Sequence, residues 1–253
     1  MTFKSPSAYR DFSRSVRMNS RYIFEPGTQE FLETLIGQAK SKTVCLNANS
    51  TSLWRAQIGH EPDTDLEEKG YSGGPYAYSP ERMKPLRGNA REGRANSKGL
   101  AVLYLATNKN TAMSEVRPWL SQGISVARFQ LTKDLMLVDC TSHKELEPLI
   151  YLNPNEKLWN DLIWTDIDYA FSVPVVESEN TSDYAPTQII SESIKAAGYD
   201  GVMYKSSVAN GKNIALFDLD AAQVHTCQVF SANSIEYTFR EEGNPYVVKR
   251  PKS

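Results

Sequence analysis

Strand-like and helix-like segments follow one another irregularly along this chain, and their order constrains the fold more than any other feature. Short apolar runs typical of strands cover residues 43–46, 53–56, 101–106, 124–130, 135–138, 201–205, 213–217 and 223–230. Helical spacing of apolar residues begins after Thr28 and recurs at 112–116, 156–171 and 186–197. Because helices are not inserted one per strand, the pattern predicts an α+β fold rather than a repeating βαβ fold.

The chain divides by composition into three parts. Residues 1–42 are predicted to form an N-terminal helical extension, residues 43–232 the main domain and residues 233–253 a loose tail. Within the extension, a short helix that supplies little core precedes a stronger helix capped by Thr28. Proline and glycine mark the two ends of the helix at 186–197. The strand at 124–130 alternates apolar and polar residues, which predicts one solvated face.

Composition excludes several classes of function. The chain has 253 residues and a formal net charge of −2, so no overall field attracts nucleic acid or an anionic membrane. No apolar run approaches the ~20 residues of a membrane span, and the N-terminus lacks the apolar core of a signal peptide. Three cysteines without paired spacing predict small buried side chains in a reducing compartment. The predicted location is cytoplasmic.

A glycine- and proline-rich stretch from Gly59 to Gly99 is predicted to be a long loop, and a loop of such length inside a domain is usually functional or disordered. Backbone N–H groups and guanidinium groups in such a loop can bind phosphates. A solvated charged loop or a nucleic-acid contact are the alternatives. The basic residues of its second half are Arg82, Lys84, Arg87, Arg91, Arg94 and Lys98.

Three polar residues interrupt apolar segments: Arg55, Glu115 and Ser206. A charged group beside a core is costly unless it is paired or used. Glu115 lies eleven residues after Tyr104, on a helix predicted to be capped by Thr111, so one strand–helix junction could present both side chains. Structural roles are the alternatives, namely a helix-dipole contact for Glu115, a core position for Tyr104 and a turn for Ser206.

Two common hydrolytic designs find no support in the sequence. No Gly-x-Ser-x-Gly motif surrounds Ser206, and the three histidines stand in ordinary contexts, which argues against a serine–histidine triad. His225 and Cys227 have no further ligand pair near them, so no metal site is predicted.

Taken together, these segments resemble the RES domain family, which is named for its arginine, glutamate and serine. The resemblance covers roughly residues 43–218. One departure is that Ser206 and Ser207 are adjacent, so position alone favours Ser206. The matching segments are Trp54-Arg55-Ala56, Gly93-Arg94-Ala95-Asn96, Tyr104 with Glu115, Gly198-Tyr199-Asp200-Gly201, Tyr204-Lys205-Ser206, and Asn213 to Phe217.

The resemblance implies a fold similar to that of ADP-ribosyltransferases and an enzyme that takes NAD as its substrate, with no bound cofactor. It implies catalytic roles for Glu115, Arg55 and Ser206, and substrate binding by Tyr104, Arg94, Arg55 and Ser206. Glu115 would stabilise an oxocarbenium-like state while the two arginines hold the pyrophosphate. Tyr104 could stack on nicotinamide, and Ser206 could hydrogen-bond the carboxamide or the ribose.

The same resemblance implies a toxin that depletes cellular NAD and has an Xre-type antitoxin as its partner. The ADP-ribosyl group would pass from nicotinamide to water or to inorganic phosphate, as in a glycohydrolase or a phosphorylase. A protein ADP-ribosyltransferase and a non-catalytic module that binds nucleic acid or protein remain the alternatives. No membrane partner is expected, and formation of a homo-oligomer is left open.

Overall fold

The computed structural model describes residues 2–61, 74–142, 158–173 and 181–236, together with 238, 239, 241 and 243. Within these residues the α-helices are α1 (Ala8–Met18), α2 (Pro26–Ala39), α3 (Lys109–Glu115), α4 (Trp159–Ser172) and α5 (Ala185–Ala196). The strands are β1 (Thr43–Leu46), β2 (Ser52–Ile58), β3 (Leu103–Ala106), β4 (Gly123–Leu131), β5 (Leu135–Asp139), β6 (Gly201–Lys205), β7 (Lys212–Leu216) and β8 (Ala222–Ser231).

The eight strands form one mixed sheet in the order β1-β5-β6-β7-β3-β2-β4-β8. All neighbours are antiparallel except β5 and β6, which are parallel. The sheet is nearly divided in its middle, because β2 and β3 pair only at Trp54 and Ala106. Five strands lie on one side of this division and three on the other. The prediction of an α+β fold with an N-terminal helical part is confirmed.

The N-terminal helices belong to the main core rather than standing apart from it. Phe12 and Val16 on α1 are fully buried, in the same apolar cluster as Phe31 of α2 and Ile163 of α4. Aromatic stacking joins the first two helices, with the rings of Phe12 and Phe31 4.4 Å apart. The prediction that this segment supplies little core was therefore wrong, because a short amphipathic helix can bury its apolar stripe completely.

Helix α5 was predicted closely, from Pro186 at its start to Gly198 beyond its end. The observed helix begins one residue earlier, at Ala185, and Gly198 has the positive φ of 90° that ends many helices. Ile190 and Ile194 on its inner face are fully buried. Within the part of the chain that the structure describes, none of the helices has the length and apolar character that a membrane crossing requires.

Both predicted threonine caps were wrong. Helix α2 starts before Thr28, which is buried and donates its hydroxyl proton to Ser15 Oγ over 3.0 Å. Helix α3 is capped by Asn108, whose Oδ1 accepts the backbone N–H of Thr111 over 2.8 Å. From sequence alone, a threonine in the first turn of a helix cannot be told from a cap. The cap is the last residue with extended backbone angles before the helix, and its position depends on the path of the preceding chain.

The solvated face predicted for β4 is present only towards the end of the strand, where Arg128 is half-buried and Gln130 exposed. Ser125 of β4 is fully buried, and its hydroxyl donates to the carbonyl of Gly59 over 2.8 Å. The prediction that all cysteines are buried holds for Cys140 alone, since Cys45 is exposed and Cys227 half-buried. Both exceptions lie on the edge strands β1 and β8, where one strand face meets solvent.

The basic residues between Arg82 and Lys98 do not converge on one point. Arg87 and Lys84 form ion pairs with Asp220, and Arg82 stacks on the ring of Tyr78. These contacts attach the loop to the body of the protein. Residues 62–73 of the predicted glycine-rich loop, and most of the predicted tail beyond 236, lie outside the described residues.

Candidate active site

A cavity of about 260 Å³ opens where the sheet divides. It is bounded by the divergent ends of β2 and β3, by α3 above them, and by the neighbouring strands β6 and β7. Aromatic, small and charged side chains share its wall. The lining residues are Trp54, Arg55, Ala56, Tyr104, Leu105, Ala106, Ala112, Glu115, Val116, Tyr204 and Asn213.

Arg55 bridges the gap between the two diverging strands. Its Nη1 donates to the backbone carbonyl of Tyr104 over 3.1 Å, in place of a backbone hydrogen bond between β2 and β3. The Nε atom is buried without a hydrogen-bond partner, and no carboxylate of the described residues pairs with the guanidinium. Burial lowers the pKa of Arg55 to about 10. The side chain is therefore still a cation at neutral pH and has an unused donor, which favours an anionic ligand.

Glu115 is the last residue of α3 and is half-buried. Its Oε1 accepts two hydrogen bonds, from Ser206 Oγ at 2.7 Å and from Asn213 Nδ2 at 2.6 Å. Among the described residues Oε2 has no such partner. A carboxylate at a helix C-terminus opposes the helix dipole, so the dipole contact considered from the sequence does not apply. The position is held instead by two donors from other elements.

The turn between β6 and β7 fits closely against the start of α3, and this contact sets where Glu115 lies. Gly211 approaches so near that a Cβ atom there would lie 2.2 Å from the hydroxyl of Thr111. Only glycine fits this position without displacing the helix. Asn108 also donates to the carbonyl of Asn210, over 3.4 Å. The turn and the helix are thereby held in one arrangement.

Ser206 and Ser207 differ sharply in their surroundings. Ser206 is 3 % exposed and contacts Glu115, and its hydroxyl oxygen also accepts the backbone N–H of Val208 over 3.2 Å. Ser207 is exposed. The geometry therefore favours Ser206 over Ser207 as the serine of the site.

Tyr104 forms part of the cavity wall, with its hydroxyl group tied to a turn. The oxygen accepts the N–H of Ala95 over 2.9 Å and the proton is donated to Asn96 Oδ1 over 2.7 Å. Gly93 has no space for a side chain, because a Cβ would lie 2.6 Å from this hydroxyl. Burial raises the pKa of Tyr104 far above its ordinary value, so the phenol stays neutral. The ring is fixed rather than free to turn.

Arg94 is not brought to the cavity. Its Nη1 donates to the backbone carbonyl oxygens of Phe171 and Ser172, at the C-terminal end of α4. A guanidinium in this position satisfies carbonyls that the helix leaves unpaired. Of the five residues predicted from the sequence, Arg55, Tyr104 and Glu115 line the cavity, and Ser206 contacts it only through its hydrogen bond to Glu115. Arg94 does not line the cavity.

Two further residues of the cleft were not predicted. Asn213 is 6 % exposed and holds Glu115, and Tyr204 is 4 % exposed and lines the cavity. The two residues lie side by side because Tyr204 on β6 pairs with Asn213 on the antiparallel strand β7. A polar asparagine at the start of an apolar strand was the signal that could have identified it. Burial raises the pKa of Tyr204 well above its ordinary value.

No group of three or more metal-ligating side chains is present among the described residues. The cleft instead combines one carboxylate, one guanidinium and neutral hydrogen-bonding groups. Such a set can bind a ligand with separated positive and negative charges and can stabilise positive charge as it develops near the carboxylate.

Comparisons with known proteins identify the family. A crystal structure of the M. tuberculosis MbcT–MbcA toxin–antitoxin complex contains a chain that is similar in part, with 13% identity, 79% of this chain and 93% of that chain covered, and a TM-score of 0.40. No curated protein gives a significant match. A sequence model of the RES domain matches residues 53–240, a span that includes every residue of the cleft. The chain therefore belongs to the RES domain family.

Proposed function

We propose that this protein cleaves the bond between nicotinamide and ribose in NAD. The observation that carries the proposal is the geometry of Glu115, whose Oε1 is fixed by Ser206 and Asn213 in the wall of the cavity that Arg55 also lines. NAD has a positively charged nicotinamide ring and a negatively charged pyrophosphate. The two charged side chains of the cavity match these two charges.

The reaction needs a negative charge near the ribose carbon and little acid catalysis. As the C1′–N bond breaks, its electron pair goes to the ring nitrogen, and nicotinamide leaves as a neutral molecule. The ribose then develops positive charge, as in glycoside cleavage. The Oε2 of Glu115 is available to face this charge, because Oε1 is engaged by its two donors. The oxygen of the nucleophile then forms a bond to C1′, and when the nucleophile is water its surplus proton passes to the solvent.

The aromatic residues of the cleft supply the remaining contacts. Tyr104 and Tyr204 both line the cavity and can pack against the planar nicotinamide ring. Ser206 acts on Glu115 rather than directly on the ligand, because its hydroxyl proton is already donated to that carboxylate. In this proposal Ser206 and Asn213 are positioning residues.

The nucleophile is either water or inorganic phosphate, and one experiment separates them. The purified protein is incubated with NAD with and without phosphate, and the products are identified by mass. Water gives ADP-ribose, whereas phosphate gives its 1″-phosphorylated form. We expect free nicotinamide in either case. Intact NAD in both reactions, with a folded protein, would overturn the proposal.

The resemblance to RES toxins extends the proposal to the cell. An enzyme that consumes NAD depletes a pool on which metabolism depends, so the chain would act as a toxin in the cytoplasm and need restraint by an antitoxin of the Xre type. Transfer of radiolabel from NAD to protein would instead identify a protein ADP-ribosyltransferase that uses the same cleft. If the chain is instead a non-catalytic module that binds nucleic acid or protein, these assays should detect neither cleavage of NAD nor transfer of radiolabel.

A further inference from the structure

We propose that Trp54 and Arg128 form an outer subsite beside the cavity, and that this subsite binds the second nucleotide of a dinucleotide substrate. The inference rests on the proposed function and goes beyond it, because it assigns a binding role to Arg128, which does not line the cavity. It also assigns the two nucleotides of the substrate to different contacts, one to the cavity and the other to the outer subsite.

The first step is the size of the cavity. Pockets that enclose one drug-sized ligand usually measure ~300–1,000 Å³. The cavity beside Glu115 measures about 260 Å³. A dinucleotide has two bases, two riboses and two phosphates, and is larger than a drug-sized molecule. One nucleotide can therefore enter, and the other must lie against the surface near the opening.

The second step is the charge of the lining. Arg55 is the cation among the described residues that line the cavity. A pyrophosphate carries two negative charges, so one guanidinium leaves one phosphate without a charged partner. A second cation near the opening would complete the match.

Arg128 supplies that cation at the neighbouring strand position. It lies directly opposite Trp54 in the antiparallel pair of β2 and β4. Side chains that face each other in this way lie on the same side of the sheet, with their Cβ atoms ~4.5–5.5 Å apart. Since Trp54 is part of the cavity wall, Arg128 extends that wall by one strand.

The guanidinium of Arg128 is both fixed and available. Its Nε and Nη2 donate to the hydroxyl oxygen of Ser52 over 3.0 and 2.9 Å. The residue is half-buried, and among the described residues no carboxylate pairs with it. Other arginines are engaged differently, since Arg17 and Arg87 form ion pairs with aspartates. The pairing with a hydroxyl fixes the orientation of Arg128 and leaves its charge for an anion.

Trp54 provides the apolar part of the subsite. It is half-buried and lines the cavity. Stacking of a base on an aromatic side chain is worth ~1–3 kcal/mol. A tryptophan next to a guanidinium thus matches the two chemical features of a nucleotide, a flat base and a phosphate.

Binding of a mononucleotide and of a dinucleotide tests this assignment. Calorimetry compares nicotinamide mononucleotide with NAD in the Glu115→Gln background, where cleavage is slowed ~100-fold, with and without Arg128→Gln. We expect the variant to bind NAD about tenfold more weakly, as for loss of one charge-assisted hydrogen bond, and the mononucleotide with unchanged affinity. Arg55→Lys should weaken the binding of both ligands. Arg87→Gln changes an exposed arginine that is ion-paired with Asp220 and does not line the cavity, so it is the control and should alter neither affinity.

Three results would overturn the outer subsite: equal loss of affinity for both ligands on adding Arg128→Gln, no loss for NAD, or failure of the Glu115→Gln protein to bind the mononucleotide. Retained affinity for the mononucleotide also shows that the variant is folded. The proposed function fails in a different way. If NAD binds with the expected pattern but the wild type leaves it intact, the outer subsite is supported and the proposed reaction is overturned. If NAD is cleaved and Arg128→Gln binds it normally, the reaction stands and the subsite does not.

Discussion

Ser206 donates its hydroxyl proton to Oε1 of Glu115 over 2.7 Å, although the two residues lie 91 positions apart in the chain. Asn213 donates to the same oxygen from the next strand. The carboxylate that ends α3 is therefore held by the β6–β7 hairpin rather than by its own helix. This arrangement gives Glu115 a fixed orientation and leaves its second oxygen for a ligand, and the following predictions depend on it.

Glu115→Gln should remove most of the activity while preserving the fold. Glutamine keeps the shape of the side chain but lacks the charge that would face the developing oxocarbenium. Loss of such electrostatic stabilisation typically costs on the order of 3 kcal/mol, or ~100-fold in rate. The initial rate of nicotinamide release measures the effect, and the thermal unfolding midpoint serves as the control. Turnover at the wild-type rate would remove Glu115 from the mechanism.

Ser206→Ala and Ser207→Ala form a matched pair. The first removes a buried hydroxyl that orients Glu115, and the second removes an exposed one. We expect Ser206→Ala to lower kcat about tenfold with little change in KM, because a net hydrogen bond to a charged group is worth roughly 1.5–3 kcal/mol. Ser207→Ala should behave as wild type. Equal rates for the two variants would contradict the positioning role.

Arg55→Met should weaken the binding of NAD and yet stabilise the empty protein. Burial lowers the pKa of Arg55 to about 10 from an ordinary 12.5, so its charged form is disfavoured by folding. This charge opposes folding below pH 10, and its effect fades as the pH rises from 10 towards the unfolded value. Removing it should raise the free energy of unfolding at neutral pH by roughly 1 kcal/mol, after the lost bond to Tyr104 is subtracted. Chemical denaturation measures this change, and a large destabilisation would make Arg55 a structural residue.

Arg94→Gln distinguishes the role predicted from the sequence from the contacts in the structure. If Arg94 holds the end of α4, the variant should lose about 1–2 kcal/mol of stability and keep the wild-type KM for NAD. If Arg94 holds pyrophosphate, KM should rise and stability should change little. Denaturation and steady-state kinetics on one preparation give both values. The hydrogen bonds to Phe171 and Ser172 favour the first result.

Expression of the wild type alone should arrest growth and lower the cellular NAD pool, and Glu115→Ala should do neither. The physical reason is that only the wild type can convert NAD to products. Growth curves and NAD measurements at matched protein levels provide the comparison. Arrest with an undiminished NAD pool would favour the protein ADP-ribosyltransferase, and equal arrest by both proteins would favour a non-catalytic binding module.

Strands and the longer helices could be predicted because each has a local signal. Alternating or continuous apolar runs gave the core strands, and Pro186 with Gly198 gave the limits of α5 to within about one residue. Helix starts were less predictable, because Thr28 and Thr111 have capping chemistry but lie inside their helices. The choice between Asn108 and Thr111 depends on the path of the preceding strand, which no local pattern records.

The site was predictable where a polar residue interrupts an apolar run, as Arg55 and Glu115 do. Ser206 was identified by the same signal, and the resemblance to the RES family added the expected substrate-binding role of Tyr104. Asn213 was missed because its role depends on Glu115, which is 98 positions away. The resemblance implied that Arg94 holds the pyrophosphate, whereas in the structure it donates to the backbone carbonyls at the end of α4. Contacts between segments that are distant in sequence form only when the sheet assembles, so local patterns in a single sequence do not predict them.

A single backbone pairing, between Trp54 and Ala106, connects the two halves of the sheet. Neighbouring strands on each side of it share three or more residue pairs, so the seam between the two halves resists separation less than any other junction of the sheet. The width of the cleft then depends on the side chains that span the seam, above all Arg55. A ligand that binds this guanidinium would compete with its hydrogen bond to Tyr104, which crosses the seam, and would also fill the space between the two halves. The same residue therefore takes part both in the contact across the seam and in the proposed binding of the ligand.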